Sequence, residues 1–511
     1  AALFETNPEL YSDIIKEALR GHENVLNEFY PDGAWQEGIG YWAGTVEPLA
    51  YTIDALENTF GTDFNLSKAP GFSRTGEFPI IASGTNGTLA YHDNAGTAMT
   101  QPVTFWLSNK FDNAGLSEAR LFDINYKGAA TSIQDLLFFN TSYTGSKVTM
   151  PLDGYLRGVE VVGMRSDWES SQATYVGYHS GVLVGNNYHA HMDSGTFIID
   201  MLGERFATEM GTENYNLPGM SDLAHGRWQY YSNHPEGHNC LIINPKPGVL
   251  PMNINAVDKV ETLVSKPRGA YSITGLSNCY VNEANSVRRG FMLADERRSV
   301  VIRDEIDLKH NDSEIYWFMH TDGTVSIEDG HAIIEKNGKK VKLSYITNAA
   351  ASEITVKKAV QLFPDESVVA IQKDLSKYSK VSIRLKASGK VNLTVKVIPY
   401  DDPNANNPID DSPLDKWSIP DGEIKPLPTL TGINADGMPI GEFNPNNVSY
   451  SAKYSFEAQT APVVTATADD SYEVVVTQDI NTFDAAVISV YDKADKARYR
   501  NYYVTFAVDM S

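Results

Sequence analysis

The run HAHMDSGTF, starting at His189, places His189, His191 and Asp193 at alternate positions. On a β-strand, alternate side chains share one face of the sheet, so three ionisable groups would point the same way. Two imidazoles at that spacing can divide the work, one holding a metal while the other moves a proton. The plainer alternative is a surface strand that happens to be His-rich. The chain has only 11 His, and two within three residues favour a site.

Further groups could join these three. Glu209 follows in LGERFATEMG and His238 in EGHNCLIINP. Two imidazoles and one carboxylate, with a position open or held by water, suit zinc, provided the fold brings such distant residues together. Asp193 could orient an imidazole from behind, or could be an ordinary turn carboxylate. The segment PDGAWQEGIGYWAG packs Trp35, Glu37, Tyr41 and Trp42 among glycines. It reads as a platform for a sugar ring or as an aromatic plug. Tyr41 could exchange a proton if cationic neighbours lower its pKa. A third cluster, NYNLPGMSDLAHGRWQYYSNHPEGHN, holds Tyr215, His225, Arg227, Tyr230, Tyr231 and His234. Arg227 has the forked geometry for a carboxylate or sulfate. Arg288 and Arg289 are further candidates, or ordinary ion-pair partners.

The elements that must position these groups fall into blocks. At 511 residues the chain is too long for one core, and two to four domains are expected. Residues 1–120 read as helix: PELYSDIIKEALRGHENVLNEF carries apolar residues near helical spacing, with Asn7 capping and Pro8 in the first turn. A second helix is expected from about Gly44 to Phe60. From about residue 125 the period changes to two. SIQDLLFF, GVEVVGMRS, GVLVGNN, CLIIN, RRSVVIRDEI, HAIIEKN, VKLSYIT, VSIRLKAS and VNLTVKVIP read as strands of a large antiparallel sandwich over 121–400. The Pro-, Asp- and Asn-rich stretch 401–428 reads as a linker. Residues 429–511 read as a small sandwich of immunoglobulin-like or cadherin-like type, without chemistry of its own.

A net charge of −23 argues against nucleic acid as partner. No apolar run of about 18 residues is present, so no membrane span is expected. Cys240 and Cys279 alone make no disulfide framework. The chain opens directly in a helix pattern without an initiator Met, which suggests that it begins partway through a larger protein.

Five segments in order, HAHMDSGTF, LGERFATEMG, GRWQYYSNHPEGHNCLIINP, RRGFMLADERRSVVIRDEI and YWFMHT, resemble the heparinase II/III-like polysaccharide lyases. PDGAWQEGIGYW resembles the end of that family's helical toroid. The resemblance covers about residues 1–400. It implies a multidomain α+β chain: part of an (α/α) toroid over 1–120, an antiparallel β-sandwich over 121–400, and an added module. By the same resemblance Tyr41 matches the catalytic tyrosine and His189 the catalytic histidine. His191, Glu209 and His238 match the ligands of a structural zinc, although Glu209 stands where the family more often has Asp. Glu37, Trp42, Arg227 and Tyr231 are the expected substrate contacts.

The implied reaction is β-elimination on a uronate-containing, glycosaminoglycan-like polysaccharide. The C5 proton is too weakly acidic to leave unaided, so the carboxylate beside it must be neutralised in the transition state. The family's neutraliser is an Asn or His upstream of Tyr41. Residues 1–30 offer only His22, which reads as a solvated helix face, and 120 residues are too few to close a toroid. The chain alone is therefore expected to be weakly active or inactive. Two other readings stand beside the lyase: a uronyl C5-epimerase on the same fold, and a non-catalytic carbohydrate-binding surface protein. The substrate class implies a secreted, periplasmic or cell-surface location.

Overall fold

The computed structural model describes residues 6–509 except 95–98, 143–147, 149, 169, 186, 424–425, 446–448, 456–460, 479–485, 495 and 497. Helix α1 spans Pro8–Asn27, and Asn7 Oδ1 accepts the Leu10 N–H at 3.1 Å. Helix α2 spans Ile39–Phe60, five residues earlier than the sequence suggests, so Tyr41 and Trp42 lie in its first turn. The expected Gly-rich loop is thus partly helix. Its start is fixed by Gly38, at φ 95°, where a Cβ would meet Asn94 Cβ at 2.9 Å. Asn94 Oδ1 accepts the Gly40 N–H at 3.0 Å, satisfying a first-turn donor from outside the helix.

Shorter helices follow at Glu77–Ile81, Val103–Phe111, Ala114–Lys127 and Ile133–Phe138. The last of these was expected as the strand SIQDLLFF. Ser132 and Asp135 instead form a reciprocal capping box that starts a helix. Such a short apolar run does not by itself separate helix from strand. The helical region therefore extends beyond residue 120, and the first long-range sheet begins at Asp153.

Three sheets follow, with antiparallel pairing throughout. One has five strands: Asp153–Leu156, Val161–Arg165, Tyr175–His179, Phe197–Met201 and Glu204–Ala207. A second has eight strands and a third has four, drawn from residues 241–399. The five-stranded sheet is a wall between two cores. Val161, Tyr175 and Ile198 face the helices. Val162, Met164, Val176, Tyr178, Phe197 and Ile199 face the other two sheets. Burial on both faces explains why three of its strands are buried at every residue and lack polar alternation.

GVLVGNN is not a strand. It holds one isolated bridge, Val182 to Val257. Nor does the HAH segment lie on a strand: residues 188–195 form turns between Tyr175–His179 and Phe197–Met201.

The stretch 401–428 is more than a spacer. Leu414 and Trp417 pack on Ile273 and Val301, and Arg303 pairs with Asp411. Trp417 lies over Gly290, where a Cβ would meet the indole at 2.6 Å. Beyond it, Leu430–Ala435, Met438–Pro439 and Val464–Ala468 form one small sheet. Ser449–Ser455, Tyr472–Thr477, Ala486–Asp492 and Tyr499–Asp509 form another. They share a core around Leu430, Ile433, Val464, Ile488 and Tyr502. Among the described residues, no helix is long and apolar enough to cross a membrane.

Candidate functional site

The first turn of α2 delivers Tyr41 to the turn segment that carries His189. The two rings stack with centroids 3.9 Å apart and planes 23° from parallel. Tyr215, from the loop after Glu204–Ala207, closes the group. Its hydroxyl lies 2.8 Å from Tyr41 Oη and 2.9 Å from His189 Nδ1, and donates to Asp93 Oδ2 at 2.8 Å. Glu37 Oε1 stands 3.8 Å from His189 Nε2, and its Oε2 accepts from Trp35 Nε1 at 3.1 Å. The His189 and Glu37 side chains are 25% and 32% exposed, so this face opens to solvent while Asp93 behind it is closed off.

One set of protons satisfies these contacts. Tyr215 donates to Asp93, so its oxygen accepts, and Tyr41 O–H and His189 Nδ1–H are the two donors that reach it. That arrangement leaves the lone pair of His189 Nε2 free on the open side, and it leaves a phenol proton on Tyr41.

Burial raises the Tyr41 phenol above its ordinary range, with Asp93 and Glu37 adding to the rise; the Tyr215 hydrogen bond and Arg227 offset only part of it. Tyr41 is therefore a protonated donor at neutral pH, contrary to the expectation of cationic neighbours lowering it. Tyr215 is pushed further up, by burial and then by its bonds to Tyr41 and Asp93. Burial alone would raise Asp93, but the hydrogen bond and charge of His191, with Arg227, hold its carboxyl well below the usual range.

Asp93 is the residue that the sequence reading missed. It accepts from Tyr215 and bonds His191 Nε2 at 2.9 Å, and Arg227 donates to it. The run Tyr91-His92-Asp93-Asn94 in a Gly- and Thr-rich stretch carried the same kind of signal as HAH: adjacent ionisable groups in a loop.

Of the expected metal-binding groups, His191 and His238 come together, their ring centroids 5.2 Å apart. Asp193 joins them: one ligand atom from each of His191, Asp193 and His238 lies within 4.8 Å of the others. His191 Nδ1, His238 Nε2 and Asp193 Oδ1 are buried without partners. Two nitrogens and one carboxylate oxygen form a donor set that zinc accepts. Glu209 stands one layer back: its Oε2 is 2.5 Å from His238 Nδ1, and its Oε1 accepts from Thr196 and Asn239. Glu209 thus contacts His238, while Asp193, expected behind an imidazole, stands with His191 and His238. Burial lowers His191 to about 4, which keeps its ring neutral.

Three expected substrate contacts are interior posts instead. Trp42 is 0% exposed and donates Nε1–H to Thr75 Oγ1 at 2.8 Å. Arg227 is buried and spends its guanidinium on Ala190 O, Met220 O and Asp93. Tyr231 is buried with its hydroxyl 2.8 Å from His320 Nε2. Only Glu37 of that set reaches the open face. Arg288 pairs with Glu261 and Asp415, and Arg289 with Asp304, as ordinary ion pairs. His22 contacts Ala18 O within α1.

Comparison with known proteins follows this geometry. Residues 167–397 match the family described as heparinase II/III-like, C-terminal. The fold is similar to the crystal structure of heparan sulfate lyase HepC from Pedobacter heparinus, at 15% identity and TM-score 0.51, covering 94% of this chain and 61% of that one. A structure of the heparinase III-BT4657 gene product aligns at 12% identity and TM-score 0.49, over 96% of this chain and 61% of its own. The chain thus spans 61% of the length of both. No curated protein matches it.

Proposed function

Residues 167–397 belong to the heparinase II/III-like family, and from that premise we propose that the chain cleaves a uronate-containing, glycosaminoglycan-like polysaccharide by β-elimination. The observation that carries this reading is the Tyr41–His189 stack, with Tyr215 bridging both to Asp93.

The two steps of elimination have separate owners. His189 Nε2 takes the C5 proton. The C5–H electrons form a C4–C5 double bond as the C4–O4 bond breaks, and Tyr41 O–H gives its proton to the departing O4. The imidazolium left on His189 then sits between the Asp93 and Glu37 carboxylates. His189 Nε2 then gives its proton to water on the open side and water reprotonates the Tyr41 phenolate, while Tyr215 holds both side chains in place. Burial keeps Tyr41 protonated at rest, as an acid needs to be.

We assign zinc to His191, Asp193 and His238, with Glu209 orienting His238. A bound ion there would brace the turn that carries His189, supplying charge and rigidity. The unpartnered buried atoms of these three residues support this. A secreted, periplasmic or cell-surface location follows from a polymeric substrate.

The test is a panel of uronate polymers incubated with the chain and read by ultraviolet absorbance for the 4,5-unsaturated uronate. Weak release of that chromophore is expected, because no residue of the site is assigned to neutralise the substrate carboxylate, with a further reduction of about 10²-fold or more in Tyr41→Phe. Exchange of the C5 hydrogen with solvent deuterium, without unsaturated ends, would indicate an epimerase instead.

A further inference from the structure

We propose that His92, His179 and Asp193 form a second metal site, for a zinc-class divalent ion, and that Asp193 is shared with the group formed by His191 and His238. This assignment does not depend on the lyase reading.

The three residues come from three places: the segment after the Gly87–Thr88 ribbon, the end of the Tyr175–His179 strand, and the turn that follows His191. One ligand atom from each lies within 4.8 Å of the others. His179 Nδ1 is 3.5 Å from Asp193 Oδ1, and His92 Nδ1 is 3.3 Å from Asp193 Oδ2. His92 Nδ1 accepts the His191 N–H, so the nitrogen of that ring left for an ion is Nε2. All three side chains are almost fully buried, at 0–2% exposure.

Two independent observations point to a missing partner. First, His92 Nε2 is buried with no hydrogen-bond partner, and His179 Nδ1 and Asp193 Oδ1 face each other at 3.5 Å without forming a hydrogen bond. Buried polar atoms left unsatisfied destabilise a fold, which makes this arrangement costly for a structural network alone. A cation held by one nitrogen of each ring and a carboxylate oxygen would satisfy most of that deficit.

Second, His92 holds φ at 54°, a left-handed conformation that is uncommon outside glycine. Strain of this kind persists where the surroundings demand a particular side chain. Glycine would relieve it, yet the chain places an imidazole here. That ring is held in place: its Nδ1 accepts the His191 N–H at 3.1 Å, and the His92 N–H donates to Asp193 Oδ2 at 2.7 Å. The His179 ring is clamped by Tyr91, stacked 4.4 Å away. Two nitrogens and one carboxylate oxygen in a closed pocket suit zinc or a related transition ion better than calcium or magnesium, which prefer oxygen ligands. A bridging Asp193 would couple the two groups and pin the 189–193 turn to the 91–94 segment, which brings Asp93 to the open face.

The test strips the full chain with a chelator and titrates it with cobalt(II) alone, following the visible absorption of nitrogen-bound cobalt. Three variants separate the two groups: His92→Gly, His179→Gln and His238→Gln. His92→Gly suits the backbone at φ 54° but empties a buried ring position, so the fold of each variant is checked by its thermal melt before titration. The proposal expects His92→Gly and His179→Gln each to lose about one equivalent of cobalt while keeping the signal that His238→Gln removes. It is overturned if His92→Gly and His179→Gln titrate like the parent, if His238→Gln alone abolishes all binding, or if the parent binds no cobalt.

Discussion

At the scale of single residues, the site rests on one buried carboxylate behind two aromatic rings. Asp93 receives Tyr215, His191 and Arg227, whose remaining guanidinium bonds go to the Ala190 and Met220 carbonyls. Removing one partner of a buried ion pair leaves the other charge uncompensated, typically at about 3–5 kcal/mol. Asp93→Asn is therefore expected to lower stability by that order in denaturant melts. Adding Arg227→Met should recover part of the loss; equal melting of Asp93→Asn and the parent would refute the pairing. Tyr215→Phe keeps the ring but removes the shared hydroxyl. We expect it to slow turnover while leaving the melt close to that of the parent, since its hydroxyl lies near the open face. HAH was legible because two of only 11 His stand within three residues, whereas Tyr41 and His238 were picked out by resemblance to the family's motifs. Trp42, Arg227 and Tyr231 misled because aromatic and cationic side chains in a Gly-rich segment look the same whether they serve a ligand or a core. Only packing separates the two, and packing is set by residues far away in the chain.

At the scale of elements, the start of α2 is the joint that aims Tyr41. Asn94 satisfies a first-turn donor there from a separate segment. Asn94→Ala should cost about 0.5–2 kcal/mol, the range for a lost helix cap, and should reduce turnover by letting Tyr41 drift. Gly38→Ala should be worse, because a Cβ would meet Asn94 Cβ at 2.9 Å on a backbone at φ 95°. A second joint ties the helical region to the five-stranded sheet: Asp32 pairs with Arg157 and Arg74. Burial would raise the Asp32 carboxyl, but hydrogen bonds and charge from Arg157, with Arg74, hold it below its ordinary 3.8. A carboxyl lowered in the folded state adds stability above its unfolded value and loses it as pH falls through the folded one. The stability gap between the parent and Asp32→Asn should thus be full near neutrality and shrink as pH drops below about 4; a gap independent of pH would exclude this role. The element types were largely readable from periodicity, α1 above all. The helix at Ile133–Phe138 was not, because six residues of which four are apolar fit either period and its capping box was overlooked. The HAH turn was misread as a strand for a related reason: alternate spacing of three residues is too short to fix a backbone.

At the scale of the whole molecule, the five-stranded sheet carries the site by serving two cores at once. Its loops reach the helices on one side while its strands anchor in the sandwich on the other. That division was invisible in the sequence, since strands buried on both faces show no alternation to read. The stretch 401–428 was read as a linker from its Pro and Asp content, yet Leu414 and Trp417 bind it to the sheet. Metal should matter at this scale too. If the buried histidines hold zinc, a chelator should lower the thermal midpoint and added zinc should restore it. An ion at about 100 times its dissociation constant contributes about 2.7 kcal/mol.

The measurement that bears most directly on the central claim is mass spectrometry of the chain ends left on a uronate-containing polymer. The account predicts new non-reducing ends that carry a 4,5-unsaturated uronate with no water added, and their absence with Tyr41→Phe. Ends that have gained water, or unsaturated ends formed equally well by Tyr41→Phe, would contradict it.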